Sequence, residues 1–302
     1  MKMRLYLFLL FSVIGLYGIH AQEKFVFGVP SAVRTVFFQP CYIKDSTLVG
    51  QADLSVKYRL TRRAGDSLYK WCLLKLMAGD GISSQIDELE YFNSLIMTEL
   101  NSGAVGVNAS LRSKAGMMGD APSNLFLQMV RRDKEGILEV TGSDMQTINR
   151  TRMYKEPVPD IEWTVEEGID SLYGYPCMKA TAQFRGRIWT AWFTTDIPIG
   201  LGPWKLAGLP GLILKAMDQT GAYCFECLEL SQTREPMYVY DYPNKQTIDR
   251  REYLKYEKNC FTMPYELLAH GDRAIIWEKK TDGTVSEVNE SWTVPYYPIE
   301  FE

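Results

Sequence analysis

Tyr175-Pro-Cys-Met-Lys-Ala-Thr-Ala-Gln-Phe184 and Ile188-Trp-Thr-Ala-Trp-Phe-Thr-Thr195, joined by Arg185-Gly-Arg187, decide the fold class. Strand side chains alternate between two faces, so Met178, Ala180, Ala182 and Phe184 share one face with Trp189, Ala191 and Phe193. Lys179, Thr181 and Gln183 share the other with Thr190, Trp192 and Thr194. The first face is apolar throughout and reads as core. The second mixes an indole with polar groups, which fits a solvated face or a ligand-facing groove. A hairpin of this length, with one face committed to the interior, predicts a mainly β protein.

Working outward, the chain next reaches Gly202-Pro-Trp-Lys-Leu-Ala-Gly-Leu-Pro-Gly-Leu-Ile-Leu214, led in by Ile197-Pro-Ile-Gly200. Gly202, Gly208 and Gly211 permit a left-handed or crowded backbone, and Pro203 and Pro210 fix φ and withdraw donors. Solvated loops are usually polar, whereas this one carries Trp204, Leu206, Leu209, Leu212 and Ile213. Burial of those side chains must hold an irregular backbone in place, so the segment reads as a structural keystone. Trp204 has a second reading, as the wall of a binding groove. No nucleophile, base or metal ligand is evident in the run.

Leu48 to Arg59 alternates as one strand, and Ser67 to Met77 returns as its partner across Ala64-Gly-Asp66. Ser83 or Ser84 is placed to cap a helix with Ile86, Leu89, Asn93, Ile96 and Leu100 on one face, ending at Gly103. Gly103 to Pro122 reads as a surface loop. Strands are expected over 125–130, 137–140, 211–217 and 222–230, and a helix over Thr247 to Asn259 with Thr247 as its cap. The fold expected is a single domain built on a curved, half-barrel-like antiparallel sheet with two or three peripheral helices.

The N-terminus has Lys2 and Arg4, an apolar run from Leu5 to Ile14, and Ile19-His-Ala21 before a polar stretch. This is the pattern of a secretory signal peptide cleaved after Ala21, leaving 22–302 as the mature domain. The apolar run is too short for a membrane span, which needs about twenty residues. The whole chain has 33 Lys+Arg, 37 Asp+Glu and two His. Loss of residues 1–21 leaves 31 basic residues against 37 acidic ones and a single histidine, His270. An acidic chain is a poor nucleic-acid binder. One imidazole excludes a histidine-rich zinc site, and no metal or other cofactor is expected.

Six cysteines in an exported chain permit disulfides, and Cys177, on a central strand, is the expected participant. Cys224-Phe-Glu-Cys227 matches the C-x-x-C spacing, but it lies in a strand, where the two thiols point to opposite faces. Carboxylates such as Glu162, Asp170 and Asp196, with Arg185 or Arg187, are the candidates for hydrolytic chemistry. No spacing makes them an acid and base pair. The plainer reading puts Asp196 in a turn and Arg185 and Arg187 at a solvated hairpin end.

At these residues the chain resembles the GLPGLI family of exported Bacteroidetes proteins. The resemblance is carried by Gly208-Leu-Pro-Gly-Leu-Ile213, Gly202-Pro-Trp204 and Ala191-Trp-Phe-Thr-Thr-Asp-Ile-Pro198. Trp163, Gly174-Tyr-Pro-Cys-Met-Lys-Ala180, Phe184-Arg-Gly-Arg187 and Tyr297-Pro-Ile-Glu300 extend it over most of the chain. It departs from the family pattern at Tyr297, where asparagine is usual, and in its Cys224/Cys227 pair. The resemblance implies an exported β-rich protein, periplasmic, outer-membrane-associated or extracellular, with no established activity. Two functions compete. One is non-catalytic binding of an apolar ligand, peptide or envelope partner on the concave sheet face, with Trp192, Asp196, Trp204, Arg185 and Arg187 as contacts. The other is a carboxylate-dependent periplasmic hydrolase.

Overall fold

The structure, a computed structural model, describes residues 26–30, 42–64, 68–102, 129–143, 151–262, 275–279, 285–287 and 296–301. Its strands begin with β1 (Val26–Pro30), β2 (Asp45–Gln51), β3 (Leu54–Ala64), β4 (Leu68–Gly79) and β5 (Ile82–Asp87), followed by helix α1 (Glu88–Asn101). Next come β6 (Met129–Arg132), β7 (Ile137–Ser143), β8 (Thr151–Pro157), β9 (Thr164–Val165) and β10 (Asp170–Leu172). The expected long hairpin is β11 (Tyr175–Phe184) and β12 (Arg187–Thr194); β11, with Cys177, lies next to one edge of the sheet and not at its centre. After it run β13 (Leu212–Asp218), β14 (Tyr223–Gln232), β15 (Pro236–Asp241), β16 (Gln246–Thr247), helix α2 (Arg250–Thr262), β17 (Ile275–Lys279) and β18 (Val285–Glu287).

Thirteen strands form one unclosed sheet in the order β10-β11-β12-β13-β14-β3-β4-β5-β6-β7-β8-β16, with β9 also on β11. Nearly all its ladders are antiparallel, because its tight turns join consecutive strands. Three of those turns use one device. Asp80-Gly81, Tyr173-Gly174 and Arg185-Gly186 each place two residues at positive φ, spanning the pairs Gly79↔Ile82, Leu172↔Tyr175 and Phe184↔Arg187. Two-residue turns of that hand match the twist of the strands they join.

The face expected to be core is core. Ala180, Ala182, Phe184, Trp189, Ala191 and Phe193 are buried in one cluster with Val56, Tyr58, Leu74, Val140 and Phe225 from across the sheet. The outer face of β11 and β12 holds half-exposed Thr181, Thr190 and Trp192, but Thr194, expected beside them, is fully buried, past a register shift between Trp192 and Phe193.

Three local expectations change. The alternation over 48–59 runs through a break at Ala52-Asp53, so β2 leaves the main sheet and pairs with β15, its register shifted between Met237 and Tyr238. Ser83 and Ser84 do not cap a helix, because they lie inside β5, all six residues of which are buried. The cap is Asp87, whose carboxylate accepts from Leu89 N at 2.9 Å and Glu90 N at 3.2 Å. Thr247 likewise belongs to β16, and Asp249 accepts from Glu252 N at 2.8 Å to start α2. Residues 1–21, Cys41, Gly103–Pro122 and His270 lie outside the described residues.

Candidate functional site

The segment 197–211 between β12 and β13 folds across the core face of the sheet. Close packing fixes its glycines. A Cβ on Gly211 would stand 2.0 Å from Thr194 O, and one on Gly202 would stand 2.8 Å from Ile213 Cδ1. Gly208 has φ +91° and open space beside it, so its constraint is conformational. Trp204 is left-handed too, at φ +56°, a conformation that an L-residue holds only when its surroundings dictate it.

Those surroundings come from distant strands. Trp204 N donates to Gln85 Oε1 on β5 at 2.8 Å, Trp163 Nε1 donates to Ala207 O at 2.8 Å, and Tyr58 OH donates from β3 to Ile213 O at 2.7 Å. The Trp204 ring lies 5.7 Å from both Phe184 and Trp189, centroid to centroid. Leu206, Leu209, Leu212 and Ile213 are buried in the same cluster. The loop therefore occupies the concave side of the sheet.

Lys205 is the polar centre of this plug. Its ammonium is completely buried and donates to Tyr154 OH at 2.6 Å, Glu156 Oε1 at 2.8 Å and Glu300 Oε2 at 2.9 Å, so each of its three protons has an acceptor. Arg185 donates to Glu156 Oε2 at 2.6 Å, and Arg250 donates to Glu300 Oε2 at 3.1 Å. Burial on its own would raise the pKa of Glu300. Lys205, Arg250 and Arg185 outweigh it and hold the carboxyl below its usual range. Burial pushes the Lys205 ammonium down against the pull of Glu300 and Glu156. Three cations thus surround two carboxylates, with no donor of Lys205 left over.

A second node ties the same C-terminal segment to the β11–β12 hairpin. Arg187 pairs with Asp218 at 2.7 Å, and its Nε donates to Ile299 O at 3.0 Å. Arg62 donates to Tyr297 O at 2.9 Å, and Tyr223 OH also donates to Tyr297 O. Gly186 sits where a Cβ would meet the Phe301 side chain at 2.8 Å, so the strap 296–301 lies directly on the Arg185-Gly186 turn.

These positions correct several expectations. Arg185 and Arg187 are not a solvated hairpin end, because Arg187 forms a buried ion pair with Asp218 and Arg185 a half-buried one with Glu156. Trp204 is not an exposed groove wall, being 1% exposed. It does not share a face with Trp192, whose indole N–H donates to Asp170 Oδ2 at 3.2 Å on the outer side. Lys215 and Lys179 stand 5.4 Å and 6.0 Å from the Trp192 ring. Asp196 is exposed, with its N–H bonded to Thr194 Oγ1 at 3.3 Å, as a turn residue would be. Glu162 and Asp170 are exposed on separate segments.

The five described cysteines, Cys72, Cys177, Cys224, Cys227 and Cys260, are unbridged, which overturns the expected Cys177 disulfide. Cys177 Sγ instead lies 3.5 Å from Tyr175 O. Cys224 is half-buried and Cys227 buried, on opposite faces, and burial raises the Cys227 thiol to about 11, far from a redox thiolate. Among the described residues no group of three His, Cys, Asp or Glu is placed to hold a metal ion.

The Lys205 cluster went unread in the sequence. The available signal was a lone lysine inside an otherwise apolar loop.

The fold and site define a β-rich protein whose open sheet is filled by its own chain. A family described as "Protein of unknown function (Porph_ging)" matches residues 183–215, the stretch that carries Arg187, Trp204 and Lys205. No curated protein matches the chain. Among solved structures, PNGF-II in one crystal form is similar at 11% identity and a TM-score of 0.43, covering 69% of this chain and 33% of that one. A second crystal form gives 12% and 0.44 over 68% and 32%, so the chain spans about a third of the length of PNGF-II. A putative outer membrane lipoprotein-sorting protein domain from Vibrio parahaemolyticus is similar at 7% identity and a TM-score of 0.21, over 61% and 86%.

Proposed function

We propose that this chain is an exported member of the GLPGLI family that works in the cell envelope as a non-catalytic binding protein. In this reading the partner is met on the solvent-facing side and edges of the sheet. The observation that carries it is the loop 197–211, which occupies the concave face that a buried apolar ligand would need. The acids first considered for hydrolysis lie apart, and the buried ones nearest the loop are held by Lys205, Arg185 and Arg250. The basic start, apolar run and Ala21 exit of residues 1–21 support export. No described helix is long and apolar enough to cross a membrane.

The test is site-specific photo-cross-linking in the producing cell, with a photoreactive phenylalanine at position 192 or 204. The reading expects an intermolecular adduct from position 192 and only intramolecular products from 204. A small apolar adduct at 204, with none at 192, would replace it with the concave-face ligand.

A further inference from the structure

The thirteen-stranded sheet begins at an interrupted edge. β9 and β10 both pair with β11 on the same side, and among the described residues no strand pairs with their outer edge. Leu172 and Tyr175 flank a two-residue turn and so form a hydrogen-bonded pair. Ser171 then stands opposite Pro176 as a non-bonded pair, as a residue without an N–H requires. The N–H and C=O of Ser171 point away from the sheet. Glu166 N donates inward to Lys179 O at 2.8 Å, so strand alternation turns the backbone polar groups of Val165 outward too.

The side chains along this edge have an unusual composition. From Pro157 to Met178 there are five Asp or Glu and no Lys or Arg. Glu166 pairs with Lys179 at 3.0 Å, while Asp160, Glu162 and Glu167 are exposed and make no ion pair among the described residues. Acids and an interruption at Gly168 are also how proteins blunt an edge against aggregation. That explanation leaves out the apolar groups. Of seven large hydrophobic side chains exposed in the described residues, three, Val165, Ile169 and Tyr173, fall within nine residues here, with Ile169 75% exposed. Blunting needs none of them, and exposing them is unfavourable.

Building on the binding function proposed above, we infer that the edge Thr164–Leu172 is a docking strip for an extended polypeptide segment of an envelope partner that carries Lys or Arg alternating with apolar residues. Main-chain hydrogen bonds to Val165 and Ser171 would add a strand, Val165 and Ile169 would take the apolar side chains, and the unpaired Glu162 and Glu167 would select the charge. A second copy of this edge is disfavoured, because two such strips would set carboxylates against carboxylates.

The test uses the full chain and a fluorescently labelled ten-residue peptide alternating lysine and valine. A glutamate–valine peptide and a backbone N-methylated lysine–valine peptide serve as controls. We expect saturable binding of the lysine peptide alone. Glu162→Lys with Glu167→Lys, and separately Ile169→Ser, should each weaken it about tenfold or more without moving the melting temperature by more than a degree or two, since exposed changes have small effects on stability. Three results would overturn the inference. One is equal binding of the lysine and glutamate peptides. Another is affinity that survives N-methylation or both variants. The third is self-association of the chain with no peptide binding. The cross-link at position 192 reports on the broader function separately, so a partner captured there with no peptide binding at the edge would remove this site and leave the function standing.

Discussion

The ammonium of Lys205 lies 2.9 Å from the carboxylate of Glu300, and both side chains are fully shut off from solvent. One residue belongs to the plug between β12 and β13 and the other to the strap, 95 positions further on. Burying a pair of charges is favourable only when further hydrogen bonds compensate for lost hydration, and Tyr154, Glu156 and Arg250 supply them. The contact therefore fixes where the loop and the strap must sit together.

Unequal consequences follow for the two partners. Lys205→Met leaves two guanidinium groups facing two carboxylates, a balanced set around an aliphatic stem. Glu300→Gln leaves three cations around the single carboxylate of Glu156. Glu300→Gln should cost about 3–5 kcal/mol, the usual range for breaking a buried pair, and Lys205→Met distinctly less. Urea denaturation of both variants checks the order; equal losses would mean that the charge balance does not govern this cluster.

Trp204 offers a test of shape against polarity. Its ring packs on Phe184 and Trp189, while its indole N–H makes no hydrogen bond to any described residue. Trp204→Ala should cost about 3–5 kcal/mol, as large core truncations do, and Trp204→Phe less than half of that. A Phe variant as damaged as the Ala variant would point to an unrecognised role for the indole nitrogen.

Asp87 gives the fold a pH dependence of known sign. Burial raises its carboxyl to about 6, against the Leu89 and Glu90 amides that favour the ionised cap. A carboxyl raised in the folded state binds its proton more tightly there than in the unfolded chain. Its stabilising contribution is complete below about pH 4 and is lost as pH rises through about 6. Asp87→Asn keeps an acceptor at the cap and removes the titration. Relative to wild type it should gain up to about 3 kcal/mol between pH 4 and pH 7, the equivalent of roughly two pKa units. Denaturant melts at both pH values decide, and a difference that stays constant between them would contradict the assignment.

Much of the fold could be read locally. The alternation of Tyr175–Phe184 and Ile188–Phe193 gave both faces of the hairpin, because one face is committed to the core; it failed at Thr194, which a register shift after Trp192 turns inward. The misreadings came where a period continues past a change of structure. The spacing of Ile86, Leu89 and Ile96 looks helical, yet Ile86 is still in β5, and the helix starts only where Asp87 can cap it. Leu48 and Leu54 fall on one alternating pattern, but the chain turns at Ala52-Asp53 between them. The Lys205 cluster was not legible, since its members lie at positions 154, 156, 185, 205, 250 and 300 and only tertiary closure unites them. Arg185 and Arg187 read as surface residues for the same reason.

The central claim is that the loop 197–211 fills the concave side of the sheet as a packed structural element. Thermal unfolding of Gly211→Ala beside Gly208→Ala tests it most directly. At Gly211 a single methyl would collide with the Thr194 carbonyl at 2.0 Å, a backbone contact that cannot be relieved by a side-chain rotation. At Gly208 the space is open and only the φ of +91° resists, a strain of about 1–3 kcal/mol. The account predicts that Gly208→Ala melts a few degrees below wild type and Gly211→Ala far lower or not cooperatively at all. A Gly211→Ala protein melting within a degree of wild type would contradict it.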